Sequence, residues 1–263
     1  MPVEPLPAVG TADRALGRIG AALERLAATQ GSWPPHPPRS VRRLVLGDQG
    51  SRETGLGDQG SSKTGSSETG SRETGSRLAD EIADSGAELV VLSCDADQVA
   101  GIVVVAALLD LEPVHAVGTV PGPDWAALTV GVRTGLRATR SHIGDPVDLL
   151  EAVGSPALAT AAGLLAQCAR RRTAVLLDGS PLVCGAALVA ERLAPGASAW
   201  WIAGQVPPNP AAARALADLD LVGLLDLQLA LPLGADLALS VLLQALEADT
   251  LTGPRPVLPA PGA

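Results

Sequence analysis

The chain has 263 residues, with 19 basic against 28 acidic side chains and a formal net charge of −9. That balance excludes a chain-wide cationic footprint for nucleic acid or anionic lipid. An apolar content of 47% excludes wholesale disorder and is enough for one large core or two small ones.

Phe and Tyr are absent, and Trp33, Trp125, Trp200 and Trp201 are the only aromatic residues, so Ala, Leu and Val must fill the interior. Base-stacking platforms are disfavoured. Lys63 is the only lysine and falls in a repetitive segment, which argues against Schiff-base chemistry. Cys94, Cys168 and Cys184 are an odd, widely spaced set without zinc spacing, as expected in a reducing compartment. Met1 to Gly10 lacks a basic, apolar leader pattern, and no uninterrupted apolar run reaches the length of a membrane span. A cytoplasmic location is expected, with no membrane and no nucleic acid among the partners.

In chain order, residues 1–40 read as an N-terminal helix and a Pro-rich linker. Leu16, Ile19, Leu23 and Leu26 recur at helical spacing within 13–29, and GSWPPHPPRS then stops the helix because proline lacks an amide donor. Val41 to Leu46 reads as a strand. From Leu46 the sequence repeats as LGDQGSRETG, LGDQGSSKTG, SSETG and SRETG, nearly without apolar residues. Such a segment buries too little to offset its ordering entropy, so residues 47–77 are expected to form a low-complexity loop.

Beyond Arg77, helical and strand-like blocks alternate. Leu78–Asp84 reads as helix, Glu88–Leu92 as a buried strand, Val99–Asp110 as an apolar helix and Val114–Gly118 as a strand. Helices are expected at Pro123–Thr139, Pro146–Val153 and Pro156–Arg171, then a strand at Thr173–Leu177 and a helix at Leu182–Leu193. A strand at Ala199–Ala203, a helix at Pro210–Ala217, a strand at Leu224–Leu229 and a helix at Asp236–Ala248 complete the pattern, and 249–263 reads as a frayed tail. Short apolar strands each followed by a helix predict an α/β domain over 41–248. It has three layers: a mainly parallel sheet with helices on both faces, plus a small helical region from the first helix. Ligands gather at the carboxyl ends of such strands, where helix N-termini present amides. This makes Gly47, Asp48 and Gln49, Asp178, Gly179 and Ser180, and Gly204 and Gln205 the candidate substrate-binding residues. Ser93–Asp97, Gly118-Thr119 and Leu231–Gly234 end further blocks of the same kind.

The stretch IGDPVDLLEAVGSPALATAAGLLAQCARRRTAVLLDGSPLVCGAALVAERLAP from Ile143 resembles the nicotinate-nucleotide:dimethylbenzimidazole phosphoribosyltransferase family, the cobalamin lower-ligand enzymes. The resemblance runs in order through Asp148–Gly154, Leu177-Asp178-Gly179, Cys184–Arg192, the strand end at Gly204-Gln205 and the helix Gly234–Leu246. Upstream, ALGRIGAALERLAATQG resembles the family's opening helix, LVLGDQG its first strand end, and ADEIADSGAELVVL the helix and strand leading to its glycine-rich loop.

The resemblance implies an α/β fold and a pentosyl transfer in which a benzimidazole nitrogen displaces nicotinate from nicotinate mononucleotide, giving α-ribazole phosphate. It implies a nucleotide and an aromatic base as small-molecule partners, a homodimer built through helices, and neither cofactor nor metal. The chain departs from the family's pattern at four places, one of which is a large central portion replaced by the repeats, so that part of the benzimidazole pocket is expected to be missing. The family's glutamate base, in a G-E-G-T-G turn, is matched by Leu233, which accepts no proton; Asp236, three residues on, reads as a helix cap. The family's glycine-rich phosphate loop is matched by SCDADQVAGIVVV, where only Gly101 is a glycine, and Asp95 and Asp97 read as caps of the next helix. The family's phosphate-region lysine has no counterpart, and Arg133, Arg137 and Arg140 read as a solvated helix face. No catalytic residue is therefore assigned. The alternative is a non-catalytic relative that keeps the scaffold to bind a ligand or a partner.

His36, His115 and His142 lack metal spacing, and Ser180 lacks the elbow and the base of a hydrolase nucleophile. Cys94, at a strand end, has the one conceivably reactive thiol, which Asp95 and Asp97 would blunt.

Overall fold

The computed structural model describes residues 3, 5–7, 16–47, 50–54, 71–119, 124–230 and 233–252. Among them is a five-stranded sheet of order β2-β1-β3-β4-β5, with β1 Val41–Gly47, β2 Gly50–Thr54, β3 Leu89–Cys94, β4 Ala174–Leu177 and β5 Trp201–Ala203. β1, β3, β4 and β5 are parallel, Val41 pairing with Leu89, Leu89 with Ala174, and Val175 with Trp201; β2 is an antiparallel edge.

The helices are α1 Gly17–Gln30, α2 Arg72–Asp84, α3 Gln98–Leu108, α4 Pro113–Val117, α5 Asp124–Thr139, α6 Pro146–Val153, α7 Pro156–Arg170, α8 Pro181–Leu193, α9 Pro210–Asp218 and α10 Gly234–Thr252. Five of them begin with Pro at the first position, where its missing N–H costs nothing. The preceding Asp145, Ser155, Ser180 and Asn209 cap α6, α7, α8 and α9 through their side chains.

Strand alternation sorts the core into two layers of helix contact. Leu89, Val91, Ala174, Leu176 and Ile202 face α1 and α10, while Leu44, Leu46, Val90, Leu92, Val175, Leu177 and Ala203 face the crossover helices. The three-layer parallel architecture expected from the sequence is therefore present, with one difference in how it is built. The parallel strands follow one another in a single direction across the sheet, so their right-handed crossovers all lie on one face. The first and last helices cover the other.

Two crossings on the crossover face depend on glycines. A Cβ on Gly75 would run into the Thr160 carbonyl and one on Gly163 into the Arg72 carbonyl, so α2 and α7 touch backbone to backbone. Gly101 meets the Pro181 carbonyl in the same way, and Gly185 lies against Gly101, which brings α3 onto α8. Gly101 is thus a packing residue inside α3.

Several elements differ from the sequence reading. α2 starts at Arg72, six residues before the expected Leu78, because Ser71 Oγ accepts the Thr74 N–H at 3.1 Å and turns the last SRETG unit into helix. Gly50–Thr54, also expected to be loop, is the edge strand; 55–70 and the candidates Asp48 and Gln49 lie outside the described residues. Val114–Gly118 is not a strand: Val114–Val117 belong to α4, begun by Pro113, closed by Gly118 and met at its end by Asn209, whose Nδ2 donates to the Ala116 and Val117 carbonyls. Ala197–Trp200 is a 3-10 turn, because the Glu191 carboxylate takes both the Gly196 and Ser198 amides. Leu224–Leu229 makes a single bridge, Gln205 to Leu225, in place of a strand.

Candidate functional site

The carboxyl ends of β3, β4 and β5 open on a cavity of about 340 Å³. Its wall comes from Cys94, Gln98 and Ile102 on β3–α3, from Val117, Thr119 and Leu128 around α4–α5, from Gly179, Ser180 and Pro181 after β4, and from Gln205, Pro208, Asn209, Pro210, Leu229 and Ala230 after β5. The sequence candidates Gly179, Ser180 and Gln205 meet there.

Asp178 sits immediately beneath, only 1% exposed. Its carboxylate accepts the Cys94 amide at 2.9 Å and the Ser180 amide at 2.8 Å, joining the ends of β3 and β4. Burial pushes its pKa up to about 6, and the hydrogen bonds from Ser180 and Cys94 oppose that rise. Gly179 has φ +80°, the left-handed region that lets the chain turn from β4 into α8 without a Cβ.

Gln205, also 1% exposed, gives Nε2 to the Asp178 and Leu229 carbonyls, both at 3.1 Å, and takes the Leu229 amide on Oε1 at 3.0 Å. One side chain thus supplies the partners a neighbouring strand would have given Leu229, and it fixes that residue as cavity wall. Gly204 does not line the cavity: a Cβ there would crowd the Leu177 carbonyl and Ala235, so it marks the close approach of α10 to the sheet. Gly47 lies at the end of β1, paired with Gly50, and is not part of the wall either.

The residues singled out as departures also take definite places. Leu233 is 50% exposed just before α10. Asp236, in the first turn of α10, accepts Arg43 Nε at 2.8 Å and ties α10 to β1. Asp97 is the N-cap residue of α3 with a left-handed backbone, but its side chain makes no capping bond, and Asp95 is exposed. Arg133, Arg137 and Arg140 are exposed on and just beyond α5, as their spacing suggests. The Cys94 thiol donates to the Ala96 carbonyl at 3.3 Å and its pKa is pushed up to about 12, first by burial and then by Asp178, Asp95 and Asp97, so it is no nucleophile.

Gln98, Asn209 and Leu229–Ala230 were missed as wall residues. Asn209-Pro210 carries the cap-and-proline signature of a helix start just after a strand end, which would have placed it there; Gln98 and Leu229 carry no such local signal.

A family model described as phosphoribosyltransferase matches residues 69–250. A nicotinate-nucleotide:dimethylbenzimidazole phosphoribosyltransferase from Mycobacterium leprae (strain Br4923) is 47% identical over 181 residues, covering 66% of this chain and 51% of that protein. The chain belongs to this phosphoribosyltransferase family. A protein of the same name from Mycobacterium avium (strain 104) is 46% identical over 178 residues, 65% of this chain and 51% of that one. The chain spans about half the length of the curated phosphoribosyltransferases it matches. In fold it is similar to the crystal structure of CobT from Thermus thermophilus, with a TM-score of 0.71 at 23% identity over 92% of each chain.

Proposed function

We propose that this chain serves the nicotinate-nucleotide:dimethylbenzimidazole phosphoribosyl transfer of cobalamin biosynthesis at the cavity beyond β3–β5, with its own turnover reduced. One observation carries the reading: in a member of that family, Gly179, Ser180 and Gln205 converge on a cavity at the carboxyl ends of parallel strands, where α/β proteins hold ligands. Gly47, Asp48 and Gln49 at the neighbouring strand end, Asp178 beneath the floor and Gly204 behind it complete the proposed site. In this reading 41–248 acts as one domain, and the protein works in the cytoplasm as a homodimer.

The reduction follows from Leu233. A benzimidazole attacking the anomeric carbon must lose a ring proton, and the family's glutamate is matched by a side chain that accepts none. Loss of a general base typically slows such a step roughly 10² to 10⁴-fold. Asp236, the nearest carboxylate in sequence, is held by Arg43.

The test is incubation with nicotinate mononucleotide and dimethylbenzimidazole, followed by mass spectrometry for α-ribazole phosphate, with Leu233→Glu run alongside. Slow formation by the natural chain and a gain in the variant support the reading. Silence in both sinks it. Binding without product in either would favour the second reading, a non-catalytic scaffold, for which the occupied carboxylate of Asp236 already speaks.

A further inference from the structure

We infer that the Pro-rich connection between α1 and β1 is a docking ridge. Residues 34–39, Pro-Pro-His-Pro-Pro-Arg, present a polyproline II face to the aromatic-lined groove of a partner protein whose rim is acidic. The inference is independent of the chemistry at the cavity.

The backbone of this segment has few conformations open to it. Proline fixes φ at about −65° at positions 34, 35, 37 and 38, and a residue followed by proline is pushed to extended ψ, which applies to Pro34, His36 and Pro37. Together these restraints give a polyproline II helix, with three residues per turn and no internal hydrogen bonds. Residues 35–38 accordingly belong to neither a helix nor a strand.

Burial follows that period of three. Pro35 is buried and Pro38 half-buried, whereas Pro34 and Pro37 are exposed, as are His36 and Arg39. One edge of the three-sided helix therefore faces the protein itself and two face outward. A groove that reads P-x-x-P needs the edge shared by its two prolines, here Pro34 and Pro37, and the next edge carries His36 and Arg39.

The ridge is also held in position from within. Gln30, the last residue of α1, clasps both backbone groups of His36: its Nε2 donates to the carbonyl at 2.8 Å and its Oε1 accepts the N–H at 2.9 Å. Glu88 Oε2 accepts the Arg39 N–H at 2.9 Å. A ligand ordered in advance loses little conformational entropy when a groove closes on it. The Arg39 guanidinium forms no ion pair among the described residues, which leaves it open to a carboxylate on the partner's rim.

The ridge lies at the amino ends of β1 and β3, where the Glu88 and Leu89 amides both donate to the Ser40 carbonyl, and the cavity lies at the carboxyl ends. A partner seated on the ridge leaves the cavity open, so the ridge tethers the protein without closing its site.

The probe that tests this is a purified SH3 domain selective for P-x-x-P-x-Arg ligands, titrated into the full chain by calorimetry. The control is the same domain with its groove filled by saturating proline-rich peptide. Saturable binding is expected from the free domain and none from the filled one. Arg39→Glu and Pro37→Ala, each on an outward edge, should weaken binding at least about tenfold. Arg39→Glu leaves intact the amide bond to Glu88, the hydrogen bond by which this residue holds the segment, so the test stands even if Pro37→Ala loosens the segment. Absence of binding, equal binding by the filled domain, or an affinity that either substitution leaves unchanged would overturn the inference.

Discussion

The Cys94 amide donates to the Asp178 carboxylate at 2.9 Å across 84 residues of sequence, and this bond closes the top of the sheet between β3 and β4. Burial of the accepting carboxylate, opposed by that bond, gives the fold a pH dependence. Asp178 keeps its proton up to about pH 6 in the folded chain, whereas its ordinary value is 3.8. Between these values the native state binds more protons than the unfolded one, so this residue's contribution falls as pH rises through that window. The full span corresponds to something on the order of 3 kcal/mol. Urea midpoints measured from pH 4 to pH 7 should therefore differ in slope between the natural chain and Asp178→Asn, the variant lacking the downward trend.

The backbone contact between α2 and α7 predicts opposite outcomes for two alanine substitutions. Gly75→Ala must force the helices apart and should cost about 1–3 kcal/mol despite alanine's better helix propensity. Gly131→Ala, on α5, would meet only Val99 Cγ1 at an ordinary 3.5 Å, and should stabilise by about 0.4–1 kcal/mol. Chemical denaturation of both variants measures the difference.

Gln205 joins three pieces of backbone, and removing its side chain leaves the Leu229 amide and two carbonyls without a partner. Gln205→Ala should destabilise the protein by about 1–3 kcal/mol. Hydrogen exchange should localise the change, with the Leu229 amide losing protection while those of β3 keep theirs. Equal loss in both places would mean that Gln205 supports the whole sheet instead of the cavity wall.

All three thiols are buried, and burial pushes those of Cys94 and Cys168 up to about 12 and that of Cys184 well above its usual value. A thiol reagent at pH 8 should label none of them in the native protein. Labelling should appear with the denaturant transition; fast labelling of Cys94 before it would show that the cavity floor opens.

The helix starts were legible in the sequence because their signal is local. Ser155-Pro156, Ser180-Pro181, Asp145-Pro146 and Asn209-Pro210 each hold a capping side chain beside a proline that fits only the first turn. What escaped depends on distant partners. The last SRETG unit is polar enough to read as loop, yet Gly75 within it lies buried against Thr160 of α7. Val114–Val117 is four residues with no period to distinguish strand from helix. Leu224–Leu229 has a strand's composition, but only its first residues bond to the backbone at and just after the end of β5, and Leu229 is held instead by the Gln205 side chain. Of the candidate residues, the rule of strand carboxyl ends pointed to Gly179, Ser180 and Gln205, which line the cavity, and equally to Gly204, which lies behind it against α10, and to Gly47, which pairs with Gly50; a glycine that ends a strand reads alike in each of these settings.

The single direction of strand order bears on how the chain is made. Leu89, Val91, Ala174, Leu176 and Ile202 form an oily surface that α10 helps to cover, yet α10 follows every strand in the chain. During synthesis α1 can cover only its own share, and the rest of that surface stays wet on the ribosome until the residues beyond 234 emerge. A nascent chain stalled before then would be a ready client for a chaperone.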